Sequence, residues 1–497
     1  VFGSLSLLLL ASASKSATFK PNPAEAYSQG TQRPNVIYIM ADDLGYGELG
    51  CYGQKKIPTP NIDQLAKEGV KFSRFYAPSA VCAPTRCSLM TGLHQGHAPI
   101  RGNKEKGGFG PNDPEGQTPL PASTTTIAEM LKAVGYRTAI FGKWGLGGPQ
   151  PGETPMDHGF DDFYGYLCQR RAHNHYPAYL WRNHQPDLLN NKPYNAHQKA
   201  KSVPNDLDEV QKLYGGNDYS HEKILNESLQ FIEKNKKNPF FIYYASTVPH
   251  AALQAPKEWV EKFPKEWDPK PYLGESGYLP TPRPHATYAA MIAYLDHTVG
   301  ELRKAIEKAG IADRTLIIFT SDNGATFNGG VDSEFFESNG ILRGKKMSLY
   351  EGGFREPFIA WYPSKIAPNA TVDEPYAGYD TMSSLAEICS AKAPKNDGKS
   401  YAPALFGKKS KARDFLYFEY PESTAMQAVI FGNMKVIRPN LKQKPDLIEV
   451  YDLANDPSEK VNIAATPEGK KWTQKAKEVW SKEHVKNDAF KLGKIDD

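Results

Sequence analysis

Two pairs of oxygen-bearing side chains close hydrophobic runs in this 497-residue chain. RPNVIYIMADD carries Asp42 and Asp43 directly after an apolar run at 36–40, and DRTLIIFTSDNG carries Asp322 and Asn323 after another. Adjacent carboxylates repel one another unless a cation or a proton lies between them. Taken singly, each pair is also a good turn or helix-cap sequence. Together, four oxygen donors at two strand ends make a site for one hard divalent cation, calcium first and magnesium as the alternative. A third stretch, VCAPTRCSLMTG at 81–92, sets Cys82, Pro84, Arg86 and Cys87 between an aromatic run and a small-residue turn. By itself it is open to a disulfide, a metal site or a nucleophile.

Such residues act together only if strand ends bring them to one edge of a sheet. Residues 36–40 read as a buried strand, 127–133 as a helix entered through threonines and stopped by Gly135, and 138–141 as the next strand. NPFFIYYASTVPH gives a third strand. Tyr288, Ile292, Leu295, Val299, Leu302 and Ile306 recur at helical spacing before Gly310, ahead of strands in DRTLIIFTSDNG and EPFIAWYP. This alternation predicts an α/β fold: a large, mostly parallel mixed sheet sandwiched by helices. Open sheets of that kind bind ligands at the carboxyl ends of their strands, where Asp42 and Asp322 stand.

A net charge of +4 and 23% charged residues describe an ordinary globular chain with no nucleic-acid-binding character. The apolar run at 5–11, followed by small residues, resembles a secretory signal, so 1–32 is expected to be a leader and the protein exported, to a periplasm or the extracellular medium. No stretch is apolar for long enough to span a membrane. Domain boundaries are expected at 33–393 for the large α/β unit and 394–497 for a smaller α+β unit, because short strands with turns (FLYFEYPES, QAVIFGNMKVIRP, LIEVYDLANDP) and a final helix follow residue 394. Five cysteines, at 51, 82, 87, 168 and 389, leave at least one unpaired and show no zinc spacing. Cys87 reads as a small buried side chain, as do Cys51, Cys168 and Cys389.

The pattern C-x-P-x-R, with Cys82, Pro84 and Arg86 running on into Leu89, Met90, Thr91 and Gly92, resembles the signature of the type I sulfatases, arylsulfatase-like members of the alkaline-phosphatase-like superfamily. ADDLGYGELGCYG, GKWGLG, TVPHA, SDNG, LRGKKMSLYEGGFREPF and YDLANDPSEKVNIA extend the resemblance over most of the chain from residue 33. It implies that a separate maturation enzyme converts Cys82 to formylglycine. The aldehyde hydrate has two hydroxyls: one attacks sulfur, and proton loss from the other then expels sulfate. The cation held by Asp42, Asp43, Cys82, Asp322 and Asn323 would screen the charge of the sulfate.

The resemblance also implies that Arg86 holds the hydrate and its cation, that Lys143 binds sulfate, and that His250 and Lys346 act at the bridging oxygen. Lys346 is preferred to Lys345 because it lies four residues before Tyr350 of YEGG. Family members commonly read GKWHLG, and that histidine helps deprotonate the hydrate. Here the position is Gly145, which leaves His94, His97, His173, His175 or a metal-bound oxygen as candidates for the task. A two-metal phosphatase or phosphodiesterase of the same superfamily would want histidine where Asn323 stands. An unconverted Cys82 would leave a sulfate-binding protein without turnover.

The segment 167–217 is aromatic and rich in Asn and His, and reads as a long insertion carrying a binding loop. Within it Arg171, His173 and His175, and in HQGHAPIRGN Arg101, are the candidate substrate-binding residues. Their charges and rings suit an anionic saccharide, so a sulfated polysaccharide or oligosaccharide is the expected substrate, with small aryl sulfates as the alternative.

Overall fold

A computed structural model describes residues 33–107, 113–198 and 203–497. The leader read at 1–32 lies outside the described residues. The large sheet is built from β1 (Asn35–Ala41), β2 (Val70–Tyr76), β3 (Arg137–Lys143), β4 (Asp162–Tyr166), β5 (Tyr179–Arg182), β6 (Gln185–Leu188), β7 (Phe240–Ala245), β8 (Thr315–Ser321), β9 (Arg355–Trp361) and β10 (Ala370–Val372). In space the order is β10-β2-β9-β8-β1-β7-β3-β4-β5-β6, and off this path the short strand Tyr376–Ala377 also pairs with β2, in parallel. The five central strands, β8 to β4, run parallel, and β9 and the β5–β6 hairpin are antiparallel to their neighbours.

All seven residues of β1 are buried because both faces of the sheet are covered. Val36, Tyr38 and Met40 join one core, and Ile37, Ile39 and Ala41 the other. The first core packs under helix α1 (Cys82–Thr91), the second under helix α2 (Pro284–Lys308), whose Tyr288, Ile292, Leu295, Val299, Leu302 and Ile306 are buried as their spacing predicts. A second, four-stranded antiparallel sheet follows, formed by Leu416–Tyr420, Met426–Phe431, Met434–Arg438 and Glu449–Asp452, with helix α3 (Pro467–Glu483) against it. The first core continues through Tyr401 and Leu405, past the boundary expected at 393/394, together with Met382 and Leu385 of the helix Thr381–Ile388 and Cys389 at its end.

Two elements differ from the sequence reading. Part of the insertion adds the β5–β6 hairpin to the sheet; its turn is short, and Asn183 takes the left-handed conformation (φ 53°) that asparagine tolerates. The signature stretch forms α1, to which no helix was assigned. All ten of its residues are buried, so it shows no amphipathic period. Among the described residues no helix is long and apolar enough to cross a membrane.

Candidate active site

Three strand ends, one helix N-terminus and two loops converge. Asp42 and Asp43 leave the end of β1, Asp43 in a left-handed turn (φ 68°), and Asp322 and Asn323 leave the end of the adjacent β8. The two turns are laced together: the Asp43 amide donates to Asp322 Oδ1 (3.1 Å) and the Leu44 amide to Ser321 Oγ (3.1 Å). Cys82 is the first residue of α1, whose Ala83 amide is capped by Asn103 Oδ1 from another loop (3.0 Å). Its thiol donates to Asp42 Oδ1 at 3.5 Å. A helix N-terminus carries partial positive charge, so position 82 favours an anionic ligand.

Basic side chains close on the carboxylates. Arg86, one turn along α1, donates to Asp322 Oδ2 (2.9 Å), Asp42 Oδ2 (3.5 Å) and the Lys143 carbonyl (3.0 Å). Lys143, at the end of β3, is ion-paired with Asp42 Oδ2. The Lys346 ammonium lies 2.7 Å from Asp43 Oδ1 and 3.6 Å from Cys82 Sγ. Lys345 instead pairs with Glu334 at the surface. His250 Nε2 faces Asp43 Oδ2 at 3.5 Å, while its Nδ1 is bonded to the Ala251 carbonyl.

Burial opposes charge on Asp42, but Lys143, His250 and Arg86 override it and hold the carboxyl well below the ordinary range. Asp322 goes the other way, pushed up to about 6 by burial and the neighbouring Asp42. Burial also works against the ammonium groups of Lys143 and Lys346, yet Asp42 and Asp43 respectively keep both firmly protonated. The Cys82 thiol is pushed up by burial and His250 is pushed down by it. Burial thus disfavours the thiolate of an unmodified Cys82.

The donor set fits a hard dication. Asp43 Oδ2 and Asn323 Oδ1 are buried without a hydrogen-bond partner, and ligand atoms of Asp42, Asp43, Cys82 and His250 lie within 4.8 Å of one another. His250 was not among the ligands read from sequence.

The four expected substrate-binding residues separate. His173 lies face to face with His250 (ring centroids 4.1 Å apart, planes at 8°), beside Tyr278. His175 lies behind His250, bonded to its carbonyl (3.0 Å) and, through Nδ1, to His221 (3.0 Å). Arg171 bonds the Asp113 carbonyl and faces Glu115 at 3.6 Å. Arg101 is away from the cluster: it is buried and donates to the carbonyls of Ala98, Gly96 and Val485, with Glu419 beside it, so it joins the large domain to the C-terminal part. His94 and His97 stack on each other there and meet Asp397 and Glu483, so neither reaches Cys82 to stand in for the histidine replaced by Gly145.

Sequence reading missed His221, Thr247 and Gln254, which bond His175 from below. It also missed Gln169, which lies against Gly145. Thr247 opens the TVPHA stretch and Gln169 lies in the 167–217 insertion, but no local pattern pairs them, His221 or Gln254 with their partners.

Residues 34–390 match the Sulfatase family, and 344–486 match N-sulphoglucosamine sulphohydrolase, C-terminal. The chain is 30% identical to N-acetylgalactosamine-6-O-sulfatase of Bacteroides thetaiotaomicron, over 88% of this chain and 90% of that protein. It is 32% identical to arylsulfatase A of Homo sapiens, over 88% and 85% respectively. The solved structure of Ps i-CgsB in complex with k-i-k-neocarrahexaose superposes with a TM-score of 0.73 at 26% identity, over 91% of this chain and 94% of that one. With the matched family spanning most of the large sheet and the strand-end carboxylates, Cys82, Lys143 and Lys346 all inside it, this chain belongs to the sulfatases, the hydrolases of sulfate esters.

Proposed function

We propose that this enzyme removes sulfate from a sulfated carbohydrate, with Cys82 acting as formylglycine and one divalent cation, calcium before magnesium, held by Asp42, Asp43, Asp322 and Asn323. The observation that carries the reading is the convergence of Lys143, Lys346, Arg86 and His250 on the carboxylates around Cys82. When present, the formylglycine hydrate supplies an oxygen nucleophile with a second hydroxyl for sulfate release, and the cation supplies charge that favours the ionised nucleophile and the anionic ester.

The chain's own residues do the rest. Lys143 and Lys346 stay charged and offer N–H donors to sulfate oxygens. Arg86, clamped between Asp42 and Asp322, keeps the helix N-terminus fixed against both strand ends. His250 Nδ1 donates to a backbone carbonyl, so in the neutral ring Nε2 is open to take up a proton and pass it to the departing alcohol oxygen, with Lys346 as the neighbouring acid.

Three features support the sugar. His173 stacks on His250 and Tyr278 lies tilted to edge-on against them, giving a cluster of aromatic rings with polar edges beside the carboxylates. The Bacteroides relative is named for a hexosamine sulfate, and Ps i-CgsB is solved with an oligosaccharide. Export and a separate maturation enzyme for Cys82 belong to the same reading, supported by the apolar run at 5–11 and by the C-x-P-x-R signature.

A panel of defined sulfated oligosaccharides and a simple aryl sulfate, scored for free sulfate, tests the reaction. Release from the aryl ester and from no glycan overturns the sugar. In the same preparation the Cys82 peptide is expected about 18 Da below its thiol mass. An active enzyme with an unshifted peptide overturns the formylglycine.

A further inference from the structure

β3 and β4 pair in parallel, and the pairing runs beyond both strands: the Trp144 amide donates to the Tyr166 carbonyl (2.9 Å) and the Gly145 amide to the Leu167 carbonyl (2.9 Å). This extension carries residue 169 alongside residue 145. Gly145 has φ 70°, where a side chain is strained. A Cβ there would lie 3.2 Å from Gln169 Cγ, 3.3 Å from Gln169 Nε2 and 3.4 Å from Arg86 Cδ. The Gln169 carboxamide thus fills the space beside Arg86 that a side chain at 145 would enter.

The polar atoms around it are unbalanced. Gln169 is 1% exposed and its Nε2 has no partner. Gln117 Oε1 accepts from the Gln169 backbone N–H (3.1 Å), and the Gln117 Nε2 is also buried and unpartnered. Arg86 Nε is a third buried N–H without an acceptor. A buried donor without an acceptor is unfavourable, so such groups are kept where an acceptor arrives. All three are donors, and the neighbouring Arg86 already holds Asp42 and Asp322.

Resting on the sulfatase reading above, we infer that Gln169 is a further substrate-binding residue of the reaction: its side-chain amide donates to an oxygen, on the sulfate group or on the nucleophile at position 82, held beside Arg86. A carboxamide neither gives up nor takes a proton near neutral pH. Gln169 therefore orients that oxygen and leaves proton transfer to His250 and Lys346.

Gln169→Met keeps the volume and removes the donor. It is expected to lower kcat about a hundredfold, the scale for losing one donor to a reacting oxygen, and to weaken the binding of inorganic sulfate measured by calorimetry. The thermal midpoint should not fall, because the amide removed is unpaired in the ligand-free protein. Gln169→His restores a donor that titrates, and should recover part of the rate while adding an ionisation to the pH–rate profile. Unchanged kcat and sulfate affinity in Gln169→Met, or a rate loss matched by a lower thermal midpoint, would overturn the inference while the active wild type upholds the sulfatase reading. A wild type that neither binds sulfate nor releases it from any ester would overturn both.

Discussion

The ammonium of Lys346 stands 2.7 Å from Oδ1 of Asp43, and its sequence neighbour Lys345 is turned outward to Glu334. One residue of register separates a lysine that meets Asp43 and Cys82 from one that meets Glu334 at the surface. Lys346→Met is expected to reduce kcat by about two to three powers of ten, whereas Lys345→Met leaves it within about twofold. Steady-state kinetics on the best substrate from the panel decides. Equal losses in the two variants would refute the assignment.

Asp43 Oδ2 and Asn323 Oδ1 are buried without hydrogen-bond partners. Added calcium should therefore raise the thermal midpoint of chelator-treated protein, since a ligand at about 100 times its Kd stabilises by about 2.7 kcal/mol. In Asn323→Leu, and in Asp43→Asn, the calcium-dependent rise should shrink strongly. Scanning fluorimetry with and without calcium measures this; the same rise in all three proteins would place the cation elsewhere.

His175 holds the backbone of His250 through its own Nε2, and burial pushes its ring down to about 4. The folded state binds this proton less well than the unfolded chain does. Its contribution is therefore fully present above about pH 6.5 and is lost as pH falls toward 4, amounting to about 3 kcal/mol. Burial lifts the carboxyls of Glu48 and Glu459 to about 7, which acts with the opposite sign, so the histidine effect is read as a difference. Relative to His175→Gln, the wild type should lose thermal stability progressively between pH 6.5 and 4. A pH-independent difference would contradict this.

Arg101 joins loop carbonyls of the large domain to Val485 beyond α3. Arg101→Met leaves Glu419 buried with a partner lost and should destabilise the protein by about 3–5 kcal/mol with KM unchanged. Chemical denaturation and kinetics in parallel separate the two effects, and a raised KM at unchanged stability would return Arg101 to the substrate.

The strand ends were legible because fully buried parallel strands read as unbroken apolar runs, so the carboxylates after 36–40 and after Thr315–Ser321 stood out. The helix Pro284–Lys308 was legible by its period. The helix Cys82–Thr91 was not, because it is buried on every side and capped by Asn103 from another loop. Arg101 misled because a charge in a short polar segment reads as exposed, while its acceptors lie as far away as Val485. Gln169 carries no local signal; only the pairing of two strand extensions brings it to Gly145.

All ten residues of the helix that begins at Cys82 are closed off from solvent, and Cys82 itself is 1% exposed. On the proposal that Cys82 becomes formylglycine, the oxidising agent would need the segment in an open, extended form. The modification would then fall between synthesis and folding, and chains that fold first would stay locked in the unoxidised state, so that specific activity would report the outcome of a kinetic race.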